Sequence, residues 1–330
     1  MSNQQTKNTM ETLAQYTAIT TAANGVNVTA TAAAQMQKAA ERNANTAAAM
    51  ATDDKKFCEY CAAVGNQPTA AALLEYLLNL SATSKISTLR RKFATLSQLY
   101  QVSADQRKAI NATLRRLAAA QSKESNRARR HETNADGTAA RDFSTKQAAA
   151  VNGGEIARIV ASIDGGTIKG QRDKTLFTVA FYAGLRSSEL LAIRRENIKV
   201  TDAGNIEIEL LDTKTAANAK VYIYNRAAIE QLKRFISATP TAGDYLFTAV
   251  DKYDHATAQP ITRQSWHRIV KHYAPTLQTH SFRRGAITQI IRNGCDIAAG
   301  MQFSRHTSKA SFLRYLDTAA SESTNGGKYL

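Results

Sequence analysis

The second half of the chain carries several side chains of the types that bind and activate a phosphate group. Arg186 follows a Gly-Leu pair, and Glu189 comes about one helical turn later. His280 and Arg283 share this spacing, and Lys214 lies in a predicted hairpin turn. Guanidinium groups bind phosphate oxygens bidentately, and cations stabilise a pentacoordinate phosphorus more than the ground state because it carries more negative charge. These residues therefore predict chemistry at a phosphate.

A tyrosine could be the nucleophile of such a reaction. His306 precedes Tyr315 by nine residues, and a tyrosine hydroxyl can form a covalent phosphate ester. Only about 0.1% of an ordinary tyrosine is ionised at neutral pH, and neighbouring cations increase that fraction. The sequence contains no carboxylate cluster of the two-metal type and no GxxxxGK[ST] phosphate loop. We therefore expect a covalent mechanism that uses neither a metal nor a cofactor.

The charge of the chain indicates the substrate. The 330 residues have a formal net charge of +16, which favours a polyanion, with nucleic acid expected first and an anionic membrane surface second. The stretch from Lys85 to Arg130 holds twelve Lys or Arg residues and two acidic ones, so it carries ten of the sixteen excess charges. We predict DNA contacts from ten basic residues of this stretch: Arg90, Arg91, Lys92, Arg107, Lys108, Arg115, Arg116, Arg127, Arg129 and Arg130.

Composition excludes several other classes of protein. No apolar run approaches the roughly 20 residues of a membrane span, and the N-terminus lacks the pattern of a signal peptide. The chain has three cysteines, which favours a reducing compartment over a disulfide scaffold. Cys58 and Cys61 have the spacing of half a zinc site, but no second pair lies near them, so we expect core residues. These features predict a cytoplasmic protein associated with DNA.

The elements that must position these residues are predicted from apolar spacing. Residues 1–45 are rich in Ala and Thr, offer little to bury and are expected to be poorly ordered. Residues 46–125 show helical spacing throughout, which predicts an all-α DNA-binding domain of four or five helices. Ser103 and Gln106 form a predicted capping box within it. Residues 126–143 have almost no large apolar side chain and are interpreted as a basic linker.

The remaining residues, 144–330, predict a catalytic domain of mixed structure. Three segments have the alternation and β-branched content of strands, which predicts a small antiparallel sheet, and they are Ile198–Val200, Ile206–Leu211 and Lys220–Tyr224. Helical patterns follow at 227–238, 262–273 and 281–293. The fold class is therefore two-domain, with an all-α domain followed by a mainly α domain that contains one small sheet.

Four segments of the second domain resemble the signature boxes of the tyrosine site-specific recombinases, and they are AGLRSSELLAI, DTKT, HSFRRGA and RHTSKASFLRY. The stretch FCEYCAAVGNQPTAAALLEYLLNL with STLRRKFATLSQLY is similar to the core-binding domain of that family. The resemblance covers roughly residues 50–330 and is strongest to the Cre-like enzymes. Each box is short, but their joint order and spacing are specific. The resemblance implies a SAM-like core-binding domain followed by the catalytic fold of the family.

The resemblance also implies a role for each matched residue. Tyr315 matches the nucleophile, which attacks the scissile phosphate and forms a 3′-phosphotyrosyl link with a free 5′-hydroxyl. Arg186 and Arg283 match the arginine pair that binds the non-bridging oxygens. Lys214 matches the general acid that protonates the leaving 5′-oxygen. His280 matches a general base or a hydrogen-bonding support for the nucleophile.

The other positions match the family less uniformly. His306 matches a position that is His or Trp in the family and Trp in Cre-like enzymes. Glu189 matches an acidic residue that orients the others. Arg305 replaces a glycine that is common in the family, and Arg284 adds a further cation. A second lysine, Lys220 on the following strand, could take the role of the hairpin lysine.

The resemblance implies a DNA strand-exchange enzyme from a prokaryote, a phage or a plasmid. Its partner would be double-stranded DNA with an inverted-repeat target site. Protomers would form a homotetramer through the C-terminal segment and exchange strands through a Holliday junction, without metal or ATP. Two alternatives stay open at this point. One is a type IB topoisomerase, and the other is a non-catalytic DNA-binding protein of the same fold.

Overall fold

The structure, a computed structural model, describes most of the chain, namely residues 35–39, 44–100, 102–134, 137–143, 148–211, 219–239 and 243–315. The chain divides into two compact units, Met1–Lys146 and Gln147–Leu330. Lys214, the C-terminal segment 316–330 and most of the segment predicted to be poorly ordered lie outside the described residues. The described part is mainly helical and contains two small antiparallel sheets.

The first unit is built from helices. They are α1 (Ala44–Ala63), α2 (Ala70–Ser81), α3 (Ile86–Leu99) and α4 (Ala104–Arg129), preceded by a helical turn at 35–39. The predicted capping box opens α4, because the Gln106 N–H donates to the Ser103 hydroxyl at 3.2 Å and the Ser103 N–H donates to the Gln106 side chain at 3.0 Å. Two donors that a helix start leaves unpaired are thereby satisfied. The predicted start of α4 is confirmed.

The interior of the first unit is apolar. Phe57, Leu73 and Leu89 are fully buried, and burying one side chain of this size contributes about 1.5–3 kcal/mol. Cys58 and Cys61 are also buried, which confirms that they are core residues. Burial raises the pKa of the Cys58 thiol to about 11. The thiolate that metal binding or redox chemistry requires is therefore disfavoured at this position.

Two segments of the first unit differ from the predicted boundaries. Met36 is buried in its core, although it falls within the segment 1–45 that was expected to offer little to bury. Helix α4 continues to Arg129 and so extends into the predicted linker, 126–143. Alanine and arginine are strong helix formers, so a lack of large apolar side chains does not by itself end a helix.

The rest of the predicted linker, where the structure describes it, folds back onto α4. The N–H of Arg141 donates to Glu124 at 3.2 Å, and the N–H of Phe143 donates to the Ser125 hydroxyl at 2.8 Å. An isolated antiparallel bridge closes the intervening loop. These residues are therefore held against the first unit by their own backbone groups.

The second unit combines helices with short strands. In chain order its elements are α5 (Gly153–Ser162), α6 (Ile168–Tyr182), α7 (Ser187–Leu191), a 3₁₀ turn (Arg195–Asn197), β1 (Ile198–Val200), β2 (Ile206–Leu210), β3 (Ala219–Ile223), α8 (Arg226–Ala238), β4 (Thr248–Val250), β5 (Ala256–Pro260), α9 (Arg263–Tyr273), α10 (Ser281–Arg292) and α11 (Ile297–Ser304). A helical turn at 309–315 follows. The three predicted helices at 227–238, 262–273 and 281–293 agree with α8, α9 and α10 to within one residue.

Strands β1, β2 and β3 form the predicted antiparallel sheet in that order. Ile206, Ile208 and Leu210 are buried, and the residues between them are partly exposed, so β2 has one face on the core. All three strands lie within one residue of their predicted bounds. The pair β4–β5 is not predicted, because a three-residue strand is too short to show alternation.

Helix α6 is the centre of the second unit, since most of its residues are buried. The ring of Phe177 lies 5.2 Å from that of Trp266 on α9 and 5.2 Å from that of Phe282 on α10, between ring centroids. Such aromatic pairs contribute about 0.5–1.5 kcal/mol beyond the area they bury. No helix in the described stretches is long and apolar enough to cross a membrane.

The position of α10 is constrained by a close backbone approach at Gly285. A Cβ atom on Gly285 would lie 1.9 Å from the carbonyl oxygen of Val151, so only glycine fits there. The chain just before α5 is therefore in direct backbone contact with α10, the helix that carries His280 and Arg283 at its start.

Candidate active site

Arg186 and Glu189 are held together at the start of α7. Arg186 is the N-cap residue, and its N–H donates to Glu189 Oε2 at 2.9 Å. Its guanidinium also donates to Glu189 Oε1, at 2.6 Å. An acidic third residue commonly satisfies the backbone donor of an N-cap in this way. The three-residue spacing read from the sequence thus places a cation and a buried carboxylate in direct contact.

Arg283, on the first turn of α10, is the most buried arginine of the site, at 1% exposed. Its guanidinium donates to the carbonyl oxygens of Gly184, at 2.8 Å, and of Ser304. Gly184 has a φ of +57°, and a Cβ atom there would lie 2.7 Å from the ring of Phe303. A glycine at the end of α6 is therefore needed to present this carbonyl to the guanidinium.

One carboxylate serves three guanidinium groups. Glu189 lies 2.6 Å from Arg186, 2.7 Å from Arg305 and 3.9 Å from Arg283. Burial opposes ionisation of Glu189, but Arg305 and the hydrogen bonds from Arg186 outweigh it and hold the pKa of this carboxyl below its ordinary value. Burial, with the charges of Arg186 and Arg305, lowers the pKa of Arg283 to about 10, so it stays charged at neutral pH. The site therefore has an excess of positive charge suited to an anion.

Tyr315 lies beside this cationic cluster. Its hydroxyl is 3.3 Å from Nε2 of His280, and the residue is 8% exposed. Burial and the charges of Arg283 and Arg186 lower the pKa of His280. The imidazole is consequently neutral at neutral pH, and a neutral imidazole can accept a proton from a phenol.

His306 is oriented by a short chain of hydrogen bonds. The Ser304 hydroxyl donates to the carbonyl oxygen of Gly300 at 2.7 Å, so its oxygen accepts from Nδ1 of His306, also at 2.7 Å. This places the ring proton on Nδ1 and leaves Nε2 unprotonated. Burial and the charges of Arg283 and Arg186 lower the pKa of His306 to about 4.

The helical turn at 309–315, which carries Tyr315, is anchored by a buried aromatic ring. The Phe312 ring is fully buried and packs beside Tyr315. A Cβ atom on Gly300 of α11 would lie 2.5 Å from Phe312, so this contact also requires glycine. The guanidinium of Arg284 lies 5.7 Å from the centre of the Tyr315 ring, within the range of cation–π attraction.

The structure describes only one of the two lysines that could act as the general acid. Lys214 lies outside the described residues. Lys220 lies on β3, and its ammonium forms an ion pair with Glu207 on β2 at 2.8 Å, while Tyr222 donates to the same carboxylate at 2.9 Å. The alternative lysine is therefore engaged within the sheet.

Sequence reasoning missed part of this cluster. Arg305 attracts notice only as a departure from a family glycine, and nothing in the sequence shows that its side chain turns inward to Glu189. The carbonyl groups of Gly184 and Ser304 are also missed, because a backbone acceptor leaves no signal in residue type. Ser304 could have been suspected, since a hydroxyl two residues before His306 can reach Nδ1.

The predicted DNA-binding residues of the first unit mostly lie on its surface. Lys108, Arg115 and Arg116 are exposed, and they lie opposite the buried positions Ile110 and Leu114 of α4. The other exposed members of the predicted set are Arg90, Arg91, Arg107, Arg129 and Arg130. Exposed basic side chains of this kind are typical of surfaces that bind a phosphate backbone.

Several of the predicted contacts are engaged inside the first unit, among them Arg91, whose guanidinium donates to both oxygens of the Asp53 carboxylate. Lys92 is 7% exposed, and its ammonium donates to the buried carboxylate of Asp53 at 2.8 Å. The prediction of a DNA contact is therefore wrong for Lys92, which stabilises the interface between α1 and α3. Arg107 donates to the Ser97 hydroxyl at 2.9 Å, and Arg127 donates to a backbone carbonyl of the loop after α4.

In the described part of the chain, no group of three or more His, Cys, Asp or Glu side chains could hold a metal ion.

Comparisons with known proteins agree on one family. The sequence profile of the phage integrase family matches residues 151–322. Tyrosine recombinase XerD of Staphylococcus aureus is 22% identical over 184 residues, which cover 52% of this chain and 59% of that protein. Tyrosine recombinase XerD of Staphylococcus saprophyticus is 25% identical over 171 residues, which cover 47% of this chain and 53% of that protein. The chain thus spans somewhat more than half the length of these relatives.

Solved structures show the same fold over a larger part of the chain. XerH site-specific recombinase, bound to its palindromic difH substrate in a post-cleavage complex, has a TM-score of 0.56 at 13% identity, covering 88% of this chain and 86% of that chain. The Tn1549 transposon integrase in complex with circular intermediate DNA has a TM-score of 0.53 at 16% identity, covering 95% of this chain and 99% of that chain. At these identities the likeness concerns the fold.

Proposed function

Because the chain belongs to the phage integrase family, we propose that it is a site-specific DNA recombinase that cleaves and rejoins DNA through a 3′-phosphotyrosyl intermediate. One observation carries this proposal. The Tyr315 hydroxyl lies 3.3 Å from a neutral His280, and Tyr315 interacts electrostatically with the buried guanidinium of Arg283. A nucleophile, a proton acceptor and cations for a phosphate are therefore present in one place.

In the cleavage step, the Tyr315 oxygen attacks phosphorus and its proton passes to Nε2 of His280. The new tyrosine–phosphate bond forms as the bond from phosphorus to the 5′-oxygen breaks. Lys214 protonates this leaving oxygen, which becomes a free 5′-hydroxyl. Arg186 and Arg283 bind the two non-bridging oxygens and stabilise the charge that develops on them. The phosphotyrosyl bond keeps the energy of the broken bond, so rejoining needs neither ATP nor a metal.

Glu189 and His306 support this step in different ways. Glu189 orients the guanidinium of Arg186 by accepting a hydrogen bond from it. A bound phosphate brings negative charge towards His306, which raises the pKa of its imidazole and favours protonation of Nε2. In its protonated form, Nε2 of His306 donates to a phosphate oxygen, because Nδ1 is already engaged with Ser304.

The DNA partner is a duplex with an inverted-repeat site, and the exposed basic face of the SAM-like first unit, centred on Lys108, Arg115 and Arg116, contacts its phosphates. Four protomers assemble on two such sites and exchange strands through a Holliday junction. The C-terminal segment 316–330 of each protomer binds a neighbouring protomer. The enzyme acts in the cytoplasm on the DNA of a prokaryote, a phage or a plasmid.

Trapping of the covalent intermediate tests the proposed reaction. The protein is incubated with a library of nicked duplexes in which randomised inverted arms flank a short spacer, and SDS-resistant adducts are recovered and sequenced. We expect adducts from wild type and from Tyr253→Phe, whose ring is 68% exposed, but not from Tyr315→Phe. Adducts from Tyr315→Phe would refute the nucleophile assignment, and Tyr329→Phe then tests the terminal tyrosine.

The recovered site separates recombination from its alternatives. Two copies on one plasmid should yield recombinant products. Relaxation of supercoils by the protein without exchange between the two copies would indicate a type IB topoisomerase. Specific binding without any adduct would indicate a DNA-binding protein that lacks catalysis.

A sulfur substitution tests the general acid. A duplex with sulfur at the bridging 5′ position has a leaving group of pKa about 8.5, which departs without an acid. Lys214→Ala should lose cleavage of normal DNA and regain it on the sulfur substrate. Lys220→Ala should cleave both, and the reverse pattern would assign the role to Lys220.

A further inference from the structure

Arg305 occupies a backbone position that suits glycine. It ends α11 with φ 54° and ψ 43°, in the left-handed region. Helices often end in this conformation, but the residue there is usually glycine because a Cβ atom is disfavoured. A glycine would therefore form this helix end at least as well, and an explanation for the arginine has to come from its side chain.

The side chain of Arg305 turns into the active site. It is 13% exposed, and its guanidinium lies 2.7 Å from Glu189 Oε2. It also donates to the carbonyl oxygens of Phe303, at 3.0 Å, and of Gly184, at 3.4 Å. The backbone carbonyl of Arg305 accepts from Arg186 at 3.4 Å. The residue thus contacts both the shared carboxylate and one of the arginines proposed to bind phosphate.

The charge balance shows what this side chain changes. Without Arg305, Glu189 would be shared by Arg186 and Arg283 alone, and one net positive charge would remain for a phosphate. With Arg305, Oε2 of the carboxylate has a close partner of its own while Arg186 keeps Oε1, and two net positive charges remain. Arg283 stays 3.9 Å from Glu189 and is held by backbone carbonyls instead.

We propose that Arg305 is a positioning residue that occupies Oε2 of Glu189 and thereby leaves the guanidinium of Arg283 available to the scissile phosphate, while Arg186 stays oriented by Oε1. This inference rests on the proposed function. The charge of Arg305 also contributes to the low pKa of His306. Loss of this charge therefore affects both phosphate binding and the pH dependence of cleavage.

Three substitutions separate this role from a purely structural one. Arg305→Gly removes the side chain and suits the left-handed backbone, Arg305→Gln removes only the charge, and Arg305→Lys keeps it. Arg234→Gln is the matched control, because Arg234 is an exposed arginine on α8 of the same unit. Rates of adduct formation are measured between pH 5 and 9 on the duplex recovered above, together with thermal stability.

We expect the Gly and Gln variants to cleave about 10- to 100-fold more slowly, as misplacement of binding groups generally causes. Their basic limb should move to higher pH, because loss of the Arg305 charge raises the pKa of His306, which acts in its protonated form. The Lys variant should recover most of the rate, and Arg305→Gly should be as stable as wild type. Wild-type rate and pH profile in Arg305→Gly would overturn the proposal.

Binding of inorganic phosphate, followed by its effect on thermal unfolding, gives a second readout that needs no target DNA. We expect the affinity to fall about tenfold in Arg305→Gly and to be unchanged in Arg234→Gln. Equal affinities for wild type and Arg305→Gly would also overturn the proposal. An absence of adducts in wild type would count against the proposed function alone, because the phosphate measurement stands independently.

Discussion

Replacing Glu189 by glutamine tests how strongly one carboxylate stabilises the active site. The change keeps the shape of the side chain and removes its charge. The Glu189 side chain is 6% exposed, and its partners Arg186, Arg305 and Arg283 are 29%, 13% and 1% exposed. Three guanidinium groups would therefore lose their shared counter-charge in a region from which water is largely excluded.

The expected loss of stability follows from these contacts. Removing one partner of a buried ion pair costs about 3–5 kcal/mol, because the other charge stays buried without compensation. Arg283 keeps its hydrogen bonds to the carbonyls of Gly184 and Ser304, and Arg186 can turn towards solvent. We therefore expect the lower end, about 3 kcal/mol in the free energy of unfolding. For a unit of this size that lowers Tm by about 6–12 °C.

Thermal and urea unfolding of wild type and of Glu189→Gln measure this difference in the free energy of unfolding. Glu196→Gln is the control, because its side chain is 71% exposed and pairs with Arg194 at 3.9 Å, and an exposed pair contributes at most about 1 kcal/mol. Added inorganic phosphate should restore part of the lost stability of Glu189→Gln by supplying an anion. Equal losses in Glu189→Gln and Glu196→Gln would refute the reasoning.

Three further predictions concern other parts of the protein. The lowered pKa values of His280 and His306 mean that the unfolded chain binds more protons between pH 6.5 and about 4. The free energy of unfolding should therefore fall as pH drops through that window, and less so when both are glutamine, as urea titrations at each pH will show. Arg115→Ala should reduce the salt dependence of DNA binding by about one phosphate contact without changing Tm, whereas Lys92→Met should lower Tm. Gly300→Ala should lower Tm and slow adduct formation, because its methyl group displaces the ring that anchors the nucleophile's turn.

Much of the candidate site was predictable because its residues lie at element ends with fixed spacing. Arg186 and Glu189 share the first turn of α7, and His280 with Arg283 shares the start of α10, so local geometry alone brings each pair together. The two pairs are joined by the contact between Glu189 and Arg283 and by a backbone group, the carbonyl of Gly184, which accepts from Arg283. Residue types do not record such contacts, which is why this carbonyl was not predicted.

Two of the differences from prediction come from contacts between helices distant in sequence, and one comes from local helix propensity. Lys92 lies in a run of basic residues, and only the fold shows that Asp53 of α1 faces it. The end of α4 was placed too early because exposed alanines and arginines continue a helix without burying anything. The inward turn of Arg305 likewise depends on Glu189, which lies 116 residues away.

The contact between Gly285 and the carbonyl of Val151 has a consequence for building chimeric proteins. The residues just before α5 are packed against α10, so they belong to the catalytic unit even though they precede its first helix. A swap of the first unit among relatives should therefore join the parental sequences upstream of Val151. A junction at α5 itself would place residues of the other parent against Gly285. Their backbone would then distort α10, the helix that carries Arg283.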